Sequence, residues 1–336
     1  MTEPAPSNIH LPVPPDLVER DPTRLRWGTV STIKAPLGAI ARFAAYHLDL
    51  GASLIDIFLD QPDPQVAEFF APFPMVRITQ CDAAYWRKKP ERAQRSHQLR
   101  QAFNASRAYR RSEMHWLAHI DVDEFLLSPR PLAQLLAEAD PEAAYLRIRP
   151  AELLAQDDPW RGPSHFKLTR RERGLTKREL ADIYPDFGAY VPEGFLGYTG
   201  GKNIARTGLP QIRLGIHGVI HQGLPISNYS RLTDVHVGHA HAPDWAHFER
   251  HLKFRMSKGS YREKIKDRMR LRDVLDVIID AEGNAGLRRF YDQINLATPR
   301  LLDRLTAHDM LLTAPLDLDD KVARWFGDLP REHSDR

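Results

Sequence analysis

Apolar and polar residues alternate in blocks over the first 80 residues, and these blocks predict strands separated by helices. Residues 27–33, 54–60 and 75–79 are rich in β-branched and apolar side chains, which is typical of strands. Between the first two, apolar residues recur at helical spacing over 40–48. Strands that alternate with helices indicate a mostly parallel sheet with helices on both faces. We therefore predict an α/β fold.

The same pattern continues beyond residue 80. A basic helix over 91–110 leads into an apolar strand that ends at Asp121. Residues 150–235 are rich in Gly, Pro and aromatic side chains and predict no regular elements. The remaining predicted elements are a helix over 132–138, a strand over 144–149, a helix from 245 to about 280 and a helix over 285–305.

The chain is predicted to hold one sheet domain with two flanking parts. Six prolines before residue 24 favour an extended lead-in over a packed element. We assign residues 1–24 to this proline-rich segment, 25–250 to the sheet domain and 251–336 to a helical C-terminal extension.

Composition narrows the class of protein. Of 336 residues, 42% are hydrophobic and 27% are charged, which is typical of a globular protein. The net charge of +3 is too small to indicate a polyanion-binding protein. The single cysteine, Cys81, excludes an internal disulfide and a cysteine-based zinc site. No apolar run is long enough to span a bilayer and no signal peptide is visible, so we expect a cytoplasmic protein.

Three carboxylates follow the fourth predicted strand, in the stretch His119-Ile120-Asp121-Val122-Asp123-Glu124-Phe125. Strands place alternate side chains on opposite faces, so Asp121 and Asp123 are expected to share one face. Two such acids repel each other unless a cation lies between them, and Mg²⁺ or Mn²⁺ is held well by carboxylates together with substrate phosphates. The stretch therefore predicts a metal-diphosphate site. In the alternative interpretation, the acids only cap the following turn.

The order of these features resembles the GT-A glycosyltransferases, in particular a bacterial family-2-like group with an Asp-x-Asp-Glu-Phe motif. The resemblance runs from about residue 28 to residue 260, and the acidic motif is its most specific part. The matching segments are 41–47 with Leu50-Gly51, 117–126, 200–206, Gly238-His239 and Phe248. It implies a GT-A, Rossmann-like fold with a mixed, mostly parallel sheet.

The resemblance also implies a nucleotide-sugar donor, most simply a UDP-sugar, with its diphosphate bound through Mn²⁺ or Mg²⁺. It assigns Asp123 to the metal, and Asp121 to the ribose or to the metal through water. The early strand ends implicate Thr32, Lys34 and Asp60 in nucleotide binding. The chain departs from the family here, because relatives commonly have Lys-Asn-Glu where this chain has Lys34-Ala35-Pro36.

The stretch Gly197-Tyr198-Thr199-Gly200-Gly201-Lys202 could present cations to a diphosphate. It is not a P-loop, because Leu196 replaces the first glycine and Asn203 replaces the Ser or Thr. A glycine turn that carries Lys202 and Arg206 to the donor is one interpretation. A tight turn with two solvated cations is the other.

A histidine-rich region follows, with His236, His239 and His241 close together. Imidazole can bind Mn²⁺, and the resembling enzymes often supply a late histidine as a ligand, so His239 is the predicted third metal ligand. Most of the neighbouring histidines are expected to be ordinary polar residues.

An acceptor hydroxyl must lose its proton, normally to an Asp or Glu. The possible bases are Asp157, Asp158, Asp186 and Glu193. Glu193 is favoured because it precedes the glycine-rich turn, and Asp158 is kept beside it.

Together these features predict a metal-dependent glycosyltransferase that acts on a glycan, lipid-linked or other hydroxyl acceptor, and the resemblance implies that it inverts the anomeric centre. The basic run over 87–111 is expected to be a solvated helix face, so no nucleic acid partner is predicted. The basic segment 253–272 leaves peripheral contact with the inner face of the membrane open. The alternatives are a catalytically inactive GT-A-like scaffold and a nucleotidyltransferase.

Overall fold

The computed structural model describes residues 7–257, 259, 261 and 270–330. Backbone contacts divide the chain into two compact units. Unit 1 is Met1–Arg149, Gly201–His236 and Leu318–Arg336, and unit 2 is Pro150–Gly200 and Val237–Asp317. The division into 1–24, 25–250 and 251–336 stays a prediction.

Strands and helices alternate along much of the described chain. The strands are β1 (Trp27–Ile33), β2 (Leu54–Leu59), β3 (Val76–Gln80), β4 (Trp116–His119), β5 (Glu124–Leu127), β6 (Tyr145–Leu153), β7 (Pro163–Lys167), β8 (Lys202–Arg206), β9 (Ile212–Leu214), β10 (Val219–His221), β11 (Leu224–Pro225), β12 (Tyr229–His239) and β13 (Leu311–Pro315). The helices are α1 (Leu37–Asp49), α2 (Pro64–Phe70), α3 (Ala83–Trp86), α4 (His97–Arg110), α5 (Leu132–Glu138), α6 (Lys177–Ile183), α7 (Trp245–Ser257), α8 (Leu271–Asn295), α9 (Pro299–Ala307) and α10 (Leu318–Phe326).

The main sheet of unit 1 has the strand order β3-β2-β1-β4-β8-β6. Strands β3, β2, β1 and β4 are parallel, and β8 runs antiparallel to both β4 and β6. Every residue of β1, β2 and β4 is buried. Continuous burial of this kind is expected for parallel strands covered on both faces.

Helix α4 packs on one face of this sheet. Ser96 caps it by accepting a hydrogen bond from the backbone N–H of Leu99 (3.3 Å). Its buried residues form one core with side chains of β1, β2 and β4 and of the three-stranded sheet β9-β10-β11. Helix α1 contacts β2, β5 and α10. Both helices therefore pack on the parallel strands.

Unit 2 contains β7, β13 and the end of β6, which pair antiparallel in the order β6-β7-β13. Helices α6, α7, α8 and α9 form its core. Thr176 and Glu179 make a capping box at the start of α6. Within α8, Gly283 has φ +60° and kinks the helix.

The structure confirms the predicted fold class. The sheet is mixed and most of its strands run in the same direction, helices pack against it, and helices follow toward the C-terminus. This arrangement is consistent with the Rossmann-like GT-A fold that the resemblance implied. The predicted strands over 27–33, 54–60, 75–79 and 144–149 correspond to β1, β2, β3 and the first part of β6.

Several predicted boundaries were wrong, and each error has a local cause. The fourth strand ends at His119 rather than Asp121, because residues 121–124 form a tight turn. The basic helix begins at His97, after a 3-10 turn over Glu91–Gln94, because Ser96 caps it. Residues 150–235 contain α6 and several short strands that no periodicity had indicated.

Other predictions concern the two ends of the chain. The described part of the N-terminal segment belongs to unit 1, where the backbone of Ile9 bonds to Pro225 and Ser227. The helix predicted from 245 to 280 ends at Ser257 and a new one starts at Leu271, while the predicted helical residues 258, 260 and 262–269 lie outside the described residues.

Candidate functional site

The carboxyl ends of three parallel strands in unit 1 meet at one edge of the sheet. Ile33 at the end of β1 pairs with Leu59 at the end of β2, and Val30 of β1 pairs with His119 at the end of β4. Ligands of open α/β sheets bind beyond such ends. The predicted residues that lie at or just past this edge are Thr32, Lys34, Asp60, Asp121 and Asp123.

Residues 121–124 form a tight turn immediately after β4, which we call the acid turn. The backbone N–H of Glu124 donates to the carbonyl of Asp121 (3.1 Å), and the N–H of Asp121 donates to Oε2 of Glu124 (2.8 Å). Glu124 is fully buried, whereas Asp121 and Asp123 are half-buried. The strand ends before these residues, so the expectation that Asp121 and Asp123 share one face of a strand was wrong.

Lys202 lies against the acid turn. It opens β8, which pairs with β4 so that Asn203 lies opposite His119. Its Nζ is 2.6 Å from Oδ2 of Asp121 and 3.1 Å from Oε2 of Glu124, and its side chain is only 1% exposed. Burial alone would lower the pKa of Lys202, but the two carboxylates outweigh burial and raise it. Lys202 therefore stays protonated.

The other oxygen of Asp121 also has a donor. Nε2 of Gln101, on α4, donates to Oδ1 of Asp121 at 2.6 Å. Both carboxylate oxygens of Asp121 therefore accept hydrogen bonds from the protein.

Gly201 allows the chain to enter β8 at this point. Its φ is +70°, and a Cβ there would overlap the carbonyl oxygen of Ile148. Its own carbonyl accepts a hydrogen bond from Nδ1 of His217 (2.9 Å). The interpretation of Lys202 as a solvated cation was wrong, since the turn delivers it to a buried position.

His119 and His217 lie near this cluster and were not predicted as site residues. Nδ1 of His119 donates to the carbonyl of Gly215 (3.0 Å). Burial, followed by the charge of Lys202, lowers the pKa of His119 to about 4, so its ring is neutral. The only sequence signal for His119 was its place directly before the acidic stretch.

Asp60 lies just past the end of β2 and is paired with two side chains of α4. Arg100 donates to both its oxygens (2.6 and 2.7 Å), and Nδ1 of His97 lies 3.2 Å from Oδ2. Burial raises the pKa of Asp60, but these two partners outweigh it and hold the pKa well below its usual range. Thr32 accepts from Asn104 (3.1 Å), and Lys34 is exposed beyond β1.

Arg206 lies at the other end of β8, four residues from Lys202. It pairs with Trp116 at the start of β4, and its guanidinium lies 4.2 Å from the centre of that ring. It donates to the carbonyls of Ala143 and Asp140 (both 3.1 Å). Arg206 is buried, so it is not a solvated cation, and the structure does not bring it to the acid turn.

The two predicted bases lie in unit 2. Glu193 is buried with φ +57°, and it accepts hydrogen bonds from Arg170 (3.2 Å) and from the backbone of Arg171 (3.0 Å). Asp158 is exposed and accepts from the backbone N–H of Trp160 (3.1 Å). Of the other possible bases, Asp157 is exposed, and Asp186 accepts from Gln293 (2.9 Å). Their catalytic roles stay predictions.

His239 is also in unit 2, where it is buried beside Gly197. Its ring lies 5.2 Å from that of Tyr198 and 5.1 Å from that of His241. Burial is the main cause that lowers the pKa of His241 well below its usual value, and Nε2 of His241 lies 3.2 Å from the hydroxyl of Tyr261. The two rings are part of a buried aromatic group.

A second buried lysine, Lys167, lies in unit 2. Nζ of Lys167 is 3.0 Å from Oε1 of Glu152 and donates to the carbonyl of Ile294 (2.8 Å). The carboxylate of Glu152 also accepts from the backbone N–H groups of Leu196 (2.8 Å) and Gly197 (2.5 Å). This pair fixes the start of the glycine-rich stretch.

The described residues contain no group of three or more His, Cys, Asp or Glu side chains that could hold a metal ion. The set Asp121, Asp123 and His239 stays a prediction as a metal centre. A half-buried carboxylate beside a strand end does fit a cation that takes its other ligands from a diphosphate and water. Asp123 meets that description.

No helix in the part of the chain that the structure describes is long and apolar enough to cross a membrane.

Comparisons with known proteins give weak likenesses. No family model matches the chain, and no curated protein matches its sequence. The structure of S. aureus TarS 1–349 is similar at a TM-score of 0.36 and 11% identity, over 90% of both chains. Core-mannan synthase A (CmsA/Ktr4) from Aspergillus fumigatus, in its Mn/GDP form, is similar at a TM-score of 0.29 and 11% identity, over 61% of this chain and 66% of that one. Since both TM-scores lie below 0.5, we assign neither fold nor function from them.

Proposed function

We propose that this chain is a glycosyltransferase that moves a sugar from a nucleotide-sugar donor to an acceptor hydroxyl. The observation that supports this proposal is the edge of unit 1, where three parallel strand ends bring Lys34, Asp60 and the acid turn together. Nucleotides bind beyond such strand ends in open α/β sheets. The GT-A resemblance of the acidic motif supplies the reaction class.

The donor proposed for this edge is a UDP-sugar. Asp60 is held ionised by Arg100 and His97, so it can accept hydrogen bonds from a ribose hydroxyl or a base N–H. Lys34 is exposed just past β1 and can meet the charge of a phosphate. These contacts would orient the nucleotide relative to the acid turn.

Asp123 is the residue proposed to hold Mn²⁺ or Mg²⁺ together with the donor diphosphate. When bound, the cation offsets the negative charge that grows on the leaving nucleoside diphosphate. The acceptor hydroxyl gives its proton to a carboxylate as it attacks the anomeric carbon with inversion, and Glu193 and Asp158 remain the proposed bases. The proposed acceptor is a glycan, a lipid-linked sugar or another hydroxyl compound, met in the cytoplasm or at the inner face of the membrane.

Calorimetric titration tests the proposal. UDP, GDP and their sugar conjugates are titrated into the wild type and Asp123→Ala, with Mn²⁺ and with a chelator. We expect one nucleotide to bind only with Mn²⁺, and Asp123→Ala to weaken its binding by at least about 100-fold, because loss of a metal ligand should cost at least as much as loss of a residue that orients one. Glu68→Ala removes an exposed acid of α2 and should leave binding unchanged.

The products then identify the reaction. Sugar transfer releases a nucleoside diphosphate, whereas a nucleotidyltransferase releases pyrophosphate. Absence of nucleotide binding under both conditions would contradict the proposal and favour the inactive scaffold, for which Lys34-Ala35-Pro36 is the supporting feature.

A further inference from the structure

Hydrogen bonds from inside and outside the acid turn hold Asp121 in place. Its backbone N–H and carbonyl bond to Glu124, its Oδ1 accepts from Gln101 at 2.6 Å, and its Oδ2 lies 2.6 Å from Nζ of Lys202. A carboxylate held in this way has one orientation, and its charge is already offset by an ammonium group.

Burial and a second ion pair fix Lys202 beside Asp121. Its side chain is 1% exposed, and Nζ also lies 3.1 Å from the fully buried carboxylate of Glu124. Gly201 permits the entry into β8 because no residue with a Cβ fits beneath the carbonyl of Ile148. The ammonium therefore belongs to the folded core of unit 1.

A metal ion ligated by Asp121 would compete with Lys202. Oxygen ligands lie about 2.0–2.6 Å from Mg²⁺ or Ca²⁺, and Nζ already lies 2.6 Å from Oδ2. A divalent ion and an ammonium on the same oxygen repel each other strongly where water is excluded. The carboxylate pair Asp121 and Glu124 thus has its cation already.

We propose that Lys202 is the permanent counter-cation of Asp121 and Glu124, and that Asp121 is a positioning residue rather than a metal ligand. Lys202 and Gln101 fix the Asp121 carboxylate, and this fixes the turn that presents Asp123. The inference rests on the proposed function in one respect, namely that the cation bound by Asp123 is Mn²⁺ or Mg²⁺.

Replacement of Lys202 is expected to strengthen metal binding rather than weaken it. Removal of a buried ammonium leaves two carboxylates uncompensated, and a divalent ion then becomes their best counter-charge. Lys202→Met should therefore bind Mn²⁺ about tenfold more tightly than the wild type. Lys202→Arg keeps the positive charge and should bind Mn²⁺ like the wild type. A purely structural role for Lys202 would give no gain in metal affinity.

The experiment is a titration of Mn²⁺ alone, read by electron paramagnetic resonance of the free ion, with thermal unfolding to show that each variant is folded. The variants are Lys202→Met, Lys202→Arg, Asp121→Asn and the double variant Lys202→Met/Asp121→Asn. We expect the gain in Lys202→Met to disappear in the double variant. A folded Lys202→Met protein that binds Mn²⁺ no more tightly than the wild type overturns the proposal.

Asp121→Asn keeps the result decisive if Lys202→Met does not fold. If Asp121 is a positioning residue, this isosteric change lowers the Mn²⁺ affinity by no more than about 100-fold, the upper range for residues that orient metal ligands. A larger loss in Asp121→Asn assigns Asp121 to the metal and overturns the proposal. No nucleotide is added, so failure of the nucleotide titration is a separate outcome.

Discussion

Among the residues that the structure describes, each unit buries one lysine against carboxylates, and the two ion pairs differ in their exposure to solvent. Lys167 is 0% and Glu152 1% exposed, and this pair also bonds to three backbone groups. Lys202 is equally buried, but its partner Asp121 is 30% exposed. The first pair is sealed inside unit 2, and the second reaches the surface at the strand ends of unit 1.

The pKa of the buried lysine shifts in opposite directions in the two ion pairs. Burial outweighs the single carboxylate of Glu152 and lowers the pKa of Lys167. Two carboxylates outweigh burial and raise the pKa of Lys202. A sealed ion pair with one partner specifies local structure, whereas a lysine shared by two acids at a strand end can serve a binding site.

The largest expected effect comes from breaking the sealed pair. Lys167→Met leaves Glu152 charged and buried without its cation, so the free energy of unfolding should fall by about 3–5 kcal/mol. Lys202→Met should cost less, because its partner Asp121 is 30% exposed and already in contact with water. Denaturant unfolding measures both. The double variant Lys167→Met/Glu152→Gln should recover part of the loss, and a larger cost for Lys202→Met would reverse the comparison.

Gly201→Ala tests how the open pair is positioned. The added methyl group meets the carbonyl of Ile148 at a position with φ +70°, so we expect a loss of about 2–3 kcal/mol in unfolding free energy. Gly51→Ala is the matched control, since Gly51 has φ +98° but open space around its Cβ position. Its loss should be about 1 kcal/mol. Equal losses would show that the contact with Ile148 is unimportant.

The free energy of unfolding should depend on pH in a way that shows His119, beside Lys202, to be neutral in the folded protein. The pKa of His119 is about 4 in the folded protein, below its usual 6.5, so the unfolded chain binds the proton more tightly. The stability from its neutral state is complete above pH 6.5 and is lost as the pH falls toward 4. The slope is about 1.4 kcal/mol per pH unit.

His119→Asn keeps a donor near Gly215 but does not titrate, so it should remove this contribution from the slope of unfolding free energy against pH. The control is His10→Asn, which changes an exposed histidine. An unchanged slope in His119→Asn would contradict the assignment of a neutral His119 beside Lys202.

The elements near the site were predictable to different degrees. Strands β1 and β2 follow continuous apolar runs, and the alternation with helices predicted that their carboxyl ends would meet. The end of β4 was misplaced because the side chain of Glu124 closes a turn on the backbone of Asp121. Such a local bond competes with strand pairing and leaves no periodic signal.

Residue type alone also could not show that Lys202 and Arg206 have different partners. Both lie in one strand after a glycine-rich stretch, yet one meets the acid turn and the other lies under Trp116 at the opposite end of β8. The antiparallel pairing of β8 with β4 decides this, and it joins residues more than 80 positions apart.

The sequence by itself determined the α/β class, the buried parallel strands and the presence of acids after the fourth one, because apolar periodicity and turn residues act over a few positions. Tertiary structure alone decided the partners of those acids. Gln101, Glu124 and Lys202 reach Asp121 from a helix, a turn and a neighbouring strand. Their contacts depend on strand order and register, which short-range patterns do not specify.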